Sequence, residues 1–118
     1  MGAGRLVVGL SLASILACFP VFAVAADEPV DAVLFVDHCA PCHGHDARGK
    51  TPIGRARRIP DLTADAVRER LDADYIAKLV REGRTDATTG KERMPSFSNR
   101  LTDDQIKMVA GYVMNLGE

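Results

Sequence analysis

An all-α domain of about four short helices is what this sequence predicts, on three observations. Thr102 is followed by Gln105 at the spacing of a capping box, and Ile106, Val109, Ala110 and Val113 then fall on one helical face. Asp72 and Gly83 bracket a second segment, in which Ile76, Leu79 and Val80 share a face. Nowhere does an alternation of apolar and polar residues outlast four positions, so no strand pattern competes.

In chain order, Arg5 gives a short positive start and an apolar run follows from Leu6 to about Ala25. The run ends in Ala23-Val24-Ala25, a small-x-small pattern, ahead of the polar Ala26-Asp27-Glu28-Pro29. That is the form of a cleavable signal peptide over residues 1–25, which leaves 26–118 as one domain. The run is also long enough to span a bilayer as an uncleaved anchor, although Pro20 and the small-residue end favour cleavage. Cys18 lies inside this leader and is read as inert.

After the leader, Pro29 suits a first helical turn, and Val30, Val33, Leu34 and Asp37 follow at helical spacing for about ten residues. Between His43 and Asp61 the glycines, Pro52, Pro60 and five basic residues predict a loop. Ala64 to Leu71 reads as a short helix with Val67 and Leu71 inward, and Asp72 then caps a helix over Ala73 to Glu82 that Gly83 stops. Arg84 to Ser98 is again loop and contains Met94-Pro95. In the last helix Asp103 and Asp104 complement the positive end of the helix dipole.

The chemistry is concentrated in Cys39-Ala40-Pro41-Cys42-His43, a C-x-x-C-H pattern that attaches haem. Two thiols three positions apart reach two vinyl groups on one porphyrin edge, and the next residue offers an imidazole to the iron. A thioredoxin-like pair would need a βαβ setting, which is absent from the pattern. Zinc would need two more ligands, and His38 and His45 lie too close to the first pair for a usual structural site. A disulfide between Cys39 and Cys42 would be strained and would close almost no loop. One C-x-x-C-H and no internal repeat predict one domain with one covalently bound haem c. Export and covalent haem together point to a bacterial periplasm, with a membrane-anchored form facing the periplasm as the alternative.

Cleavage would leave about 93 residues, enough for one small domain whose core is marginal without a buried cofactor. Loss of Arg5 leaves 14 basic against 16 acidic side chains, a mild balance that argues against nucleic acid. A membrane enters only through a retained leader.

The haem motif just behind a short N-terminal helix, Met94-Pro95 in a late loop, and Leu101-Thr-Asp-Asp-Gln-Ile106 running to Ala110-Gly-Tyr112-Val113 resemble a class I cytochrome c, in particular the small bacterial exported ones. The resemblance spans Val30 to Leu116 and implies the fold of that family, about four short helices wrapped around one haem. It implies that Phe35 packs across the last helix near Val109 and Tyr112. Asp31 stands where the family often has glycine, at the close helix crossing. It implies His43 and Met94 as the two axial ligands of the iron, with Cys39 and Cys42 as the covalent attachments. Met108 and Met114 lie on the last helix, where methionine more often packs, and His38 and His45 are rival ligands too near His43 to reach the other haem face. The family's proximal histidine also donates its second ring N–H to a proline carbonyl; Pro52 is the first candidate here and Pro60 the second.

A soft thioether opposite imidazole favours reduced iron and leaves substrate no open coordination site, which makes the chain an electron-transfer protein and not an enzyme. The reading is a periplasmic mono-haem carrier of single electrons between a protein donor and acceptor. The alternative is a dedicated haem c subunit of a larger oxidoreductase; a haem enzyme or gas sensor would need an open distal site. Arg48, Lys50, Arg55, Arg57 and Arg58 form the densest charge cluster, either a solvated loop or a patch that steers an acidic redox partner.

Overall fold

Among residues 2–4, 9 and 28–116, which the computed structural model describes, the chain forms six helices and one two-stranded ribbon. The signal segment expected over 1–25, with Cys18 and its cleavage point, lies outside the described residues apart from 2–4 and 9. No helix among the described residues is long and apolar enough to cross a membrane.

Helix α1 runs Val30–His38. Pro29 stands at its N-cap and not inside the first turn, and its carbonyl accepts the Val33 N–H at 3.1 Å. The buried face is Leu34 and Phe35, whereas Val30 and Val33 are 63% and 42% exposed, so the inward face is rotated from the one expected. The cause is tertiary, since α1 lies against the last helix on the Phe35 side. Cys39 keeps helical geometry and leads into α2, Ala40–His43, which stops at Gly44 with φ of 84°.

The segment after His43 is not all loop. Helix α3 spans Pro52–Arg57, with Thr51 as N-cap and proline in its first turn. Thr51 Oγ1 accepts the Gly54 N–H at 2.8 Å and donates to the Cys42 carbonyl at 2.7 Å, so one hydroxyl caps α3 and ties it to α2. The approach requires Gly54: a Cβ there would stand 2.1 Å from the Gly49 carbonyl oxygen and 2.9 Å from that of Cys42. Helix α4 is one turn, Asp65–Arg68, shorter than the expected Ala64 to Leu71, with Val67 and Leu71 half-buried.

Helix α5, Ala73–Glu82, has the expected limits, with the Asp72 carboxylate accepting the Tyr75 N–H at 2.7 Å and Gly83 ending it. Strands β1, Arg84–Thr85, and β2, Glu92–Met94, pair antiparallel within the stretch expected to be loop. Their turn is held by Asp86, whose carboxylate accepts the Thr88 and Thr89 N–H groups at 3.0 and 2.9 Å. Helix α6 spans Asp103–Met114 with the full capping box at Thr102 and Gln105.

The core forms where α6 packs against both α1 and α5. Ile106, Val109, Ala110 and Val113 are all buried, as their spacing predicts, and Phe35 lies beneath Tyr112 with ring centroids 5.1 Å apart. Asp31 does not prevent this crossing; its carboxylate accepts the N–H of Ala32. Arg68 reaches from α4 to donate to the Val113 and Met114 carbonyls, satisfying orphan acceptors at the end of α6.

Candidate functional site

Between α2, α5, α6 and the β1–β2 ribbon lies a slot with two connected parts. The inner part is apolar and lined by Phe35, Cys39, His43, Leu62, Leu71, Ile76, Leu79, Val80, Met94, Val109 and Val113. The outer part is a cavity of about 780 Å³, in the size range of cofactor sites, and His43 and Met94 line it too.

Each donor reaches the slot for a local reason. The short helix α2 turns Cys39, Cys42 and His43 within one turn, and the His43 and Gly44 N–H groups bond back to the Cys39 and Ala40 carbonyls at 2.8 Å each. Met94 ends β2 beside a register shift: Arg84 pairs with Met94 but Thr85 pairs with Glu92, so Arg93 is an extra residue in β2. Such a bulge re-aims the side chain next to it.

Both cysteines are free. Burial, with the neighbouring Cys42 adding to it, pushes the Cys39 thiol up to about 12. A thiol held protonated is poorly suited to thiolate chemistry such as zinc binding or disulfide exchange, whereas an uncharged thioether suits the apolar wall. Burial also lowers the pKa of His43, which favours the neutral imidazole that ligates metals. Its Nδ1 is buried with no hydrogen-bond partner. The expected proline carbonyl is therefore not in place: Pro52 is an exposed residue opening α3, and Pro60 lines the outer cavity. An apolar slot with two thiols, one unpartnered imidazole and one thioether fits the donor set of a c-type haem.

The two rival histidines do not line the slot. His38 packs edge-on to Phe97 with centroids 6.3 Å apart, and His45 is exposed. Of the expected basic cluster, Arg57 and Arg58 line the outer cavity, while Arg48, Lys50 and Arg55 do not. Arg70, Arg84 and Arg93 line it as well, and no sequence pattern marked them, because they come from three separate segments. Leu62 was also missed, although it is an apolar residue in an otherwise polar stretch.

A family model described as Cytochrome C oxidase, cbb3-type, subunit III matches residues 31–113. The cytochrome c6 of Leptolyngbya boryana is 35% identical over 95 residues, covering 79% of this chain and 96% of that protein. The cbb3-type cytochrome c oxidase subunit CcoP of Azospirillum brasilense is 32% identical over 93 residues, covering 79% of this chain but 30% of CcoP. The chain thus spans 26–30% of the length of these oxidase subunits. Among solved structures, the KustC0563 c-type cytochrome has a TM-score of 0.64 at 22% identity and covers 75% of this chain and 98% of its own. That likeness shows the fold.

Proposed function

We propose an electron-carrying role from this premise: the chain belongs to the c-type cytochrome family whose model bears the description cbb3-type cytochrome c oxidase subunit III. Haem c, when bound, supplies an iron that takes up and gives back one electron. Cys39 and Cys42 would hold it covalently, and His43 Nε2 and Met94 Sδ would supply the protein ligands to its iron. The observation that carries this reading is that His43 and Met94, far apart in sequence, line one slot whose wall bears both cysteines. Leu62, Leu71, Leu79 and Val80 give the inner slot an apolar wall, and the protein ligands are uncharged, so the environment would favour the less charged, reduced iron.

The test is the spectrum of the haem-loaded protein, oxidised and reduced, with and without Met94→Ala. The red to near-infrared band from sulfur on ferric iron is expected in the parent and absent in the variant, with a lower reduction potential in the variant. A parent without that band that binds carbon monoxide readily would have an open distal site, and the enzyme or sensor reading would replace this one.

The partner is a redox protein, and we infer that it is acidic and meets the mouth of the outer cavity. The support is its lining: Arg57, Arg58, Arg70, Arg84 and Arg93 against one carboxylate, Asp86. The chain as a whole is slightly negative, at −1, so the field of this rim and the net charge predict opposite salt effects. Electron transfer with hexacyanoferrate, an anion, is expected to slow as ionic strength rises; a rate that rises with salt would show net charge in control and remove the rim from the mechanism.

A second reading, a haem domain within a cbb3-type oxidase, is favoured by the subunit III match and by a ridge of exposed valines on α1, Val30, Val33 and Val36. Isolation of the native protein separates the two, because a free carrier elutes alone and a subunit elutes with a larger oxidase chain. We place the protein in the periplasm, either free or held to the membrane by its leader.

A further inference from the structure

We propose that the C-terminal end of α5, through the close approach at Gly83 and the Arg81 carbonyl that Ser96 bonds, is the positioning element for Met94. This deepens the assignment of Met94 as distal ligand and rests on it. A helix leaves its last carbonyls without intrahelical partners, and they are usually satisfied by a cap or by water. Here the ligand-bearing segment takes that role. The Phe97 N–H donates to the Val80 carbonyl at 2.9 Å, and Ser96 Oγ donates to the Arg81 carbonyl at 2.6 Å.

Gly83 makes the seat close enough. Its φ is +76°, and a Cβ there would stand 2.6 Å from the Met94 carbonyl oxygen, 2.8 Å from the Ser96 nitrogen and 2.9 Å from the Pro95 carbonyl carbon. All three are backbone atoms, so no side-chain rotation relieves the clash. A methyl group at 83 therefore displaces the backbone of Met94 itself.

Other contacts reach the segment as well. The ribbon pairs Arg84 with Met94, and the Arg57 guanidinium makes a long 3.5 Å bond to the Arg93 carbonyl. Pro95 lacks an N–H and has a fixed φ, so the chain between ligand and anchor has little freedom to compensate. At the end of α5 a short hydrogen bond and a steric limit coincide. The position of the sulfur is thus set by a residue eleven positions upstream that does not line the slot.

The test compares holoprotein variants by the sulfur-to-iron charge-transfer band, the reduction potential and carbon monoxide binding to the reduced form. Gly83→Ala is expected to lose most of the band, lower the potential and admit carbon monoxide, while haem stays covalently attached and far-ultraviolet circular dichroism keeps its helical signal. Ser96→Ala is expected to weaken the band in part, and Ser96→Thr, which keeps the hydroxyl, to restore it. A Gly83→Ala protein with the parent's band and potential overturns the proposal. Should Gly83→Ala not fold, the serine pair decides: equal bands in Ser96→Ala, Ser96→Thr and the parent overturn it. Met94→Ala is the separate control, because a parent band that survives that change removes the ligand assignment itself and this inference with it.

Discussion

Thr63 donates twice to Asp61, from its hydroxyl at 2.6 Å and its N–H at 2.8 Å. These two bonds, with smaller help from Arg48 and Lys50, hold the Asp61 carboxyl below its usual range. The turn matters to the site because Pro60 and Leu62 on either side of it line the slot. A carboxyl whose folded pKa is depressed contributes stability that is present above its unfolded pKa and is lost as pH falls through the folded value. Thr63→Val removes the hydroxyl donor and is expected to move the Asp61 pKa up toward the ordinary carboxylate range and to start acid unfolding at a higher pH. A carbon-detected titration of Asp61 alongside an acid melt measures both; an unmoved pKa would show that the hydroxyl bond contributes nothing in solution. The same residue-level view separates the basic side chains: Arg48 and Lys50 act on Asp61, whereas Arg57 and Arg58 line the cavity.

Helix ends do more here than terminate elements. Thr51 ties α3 to α2, Arg68 closes α6, and the end of α5 seats the Met94 segment. The end of α3 carries a cost: Arg58 is its C-cap in the left-handed region, at φ 53° and ψ 49°, where a Cβ is disfavoured by about 1–2 kcal/mol. Arg58→Gly removes that strain but adds unfolded-chain entropy, and the unfolding free energy of the holoprotein is expected to rise by about 0.5–1 kcal/mol. Urea titration checks it, and a fall in stability would mean that the arginine side chain offsets its own backbone strain. Of the elements, α5 and α6 were legible in the sequence because their caps and apolar faces are local signals. Helix α3 was not, although Thr51-Pro52 has the form of an N-cap followed by proline, because six residues rich in arginine carry no apolar period.

At the scale of the whole molecule, a domain of this size has little core to spare, and several of its apolar side chains face the slot instead of one another. Walls such as Leu62, Leu71, Leu79 and Val80 would then have their packing partner in the cofactor. The double variant Cys39→Ala/Cys42→Ala, which cannot attach haem, is expected to melt at lower temperature with a broad, weakly cooperative transition. Calorimetry against the holoprotein measures it, and a sharp transition at the parent's temperature would show that the helices α1, α5 and α6 suffice alone. Because the attached group would complete the core, covalent linkage also keeps the fold from losing it reversibly.

The sequence by itself determined the all-α class, the limits of α5, the start and buried face of α6 and the haem-attachment motif, because each depends on residues within one or two helical turns. It also pointed to Met94 as the distal ligand, through its place beside Pro95 and the family resemblance. Tertiary structure alone decided which face of α1 is buried, that Arg57, Arg58, Arg70, Arg84 and Arg93 share one rim, and that Gly83 abuts the Met94 backbone. Those facts come from segments that meet only after the chain has folded back on itself. No local period or spacing records such a meeting, since the physical cause is packing between distant elements.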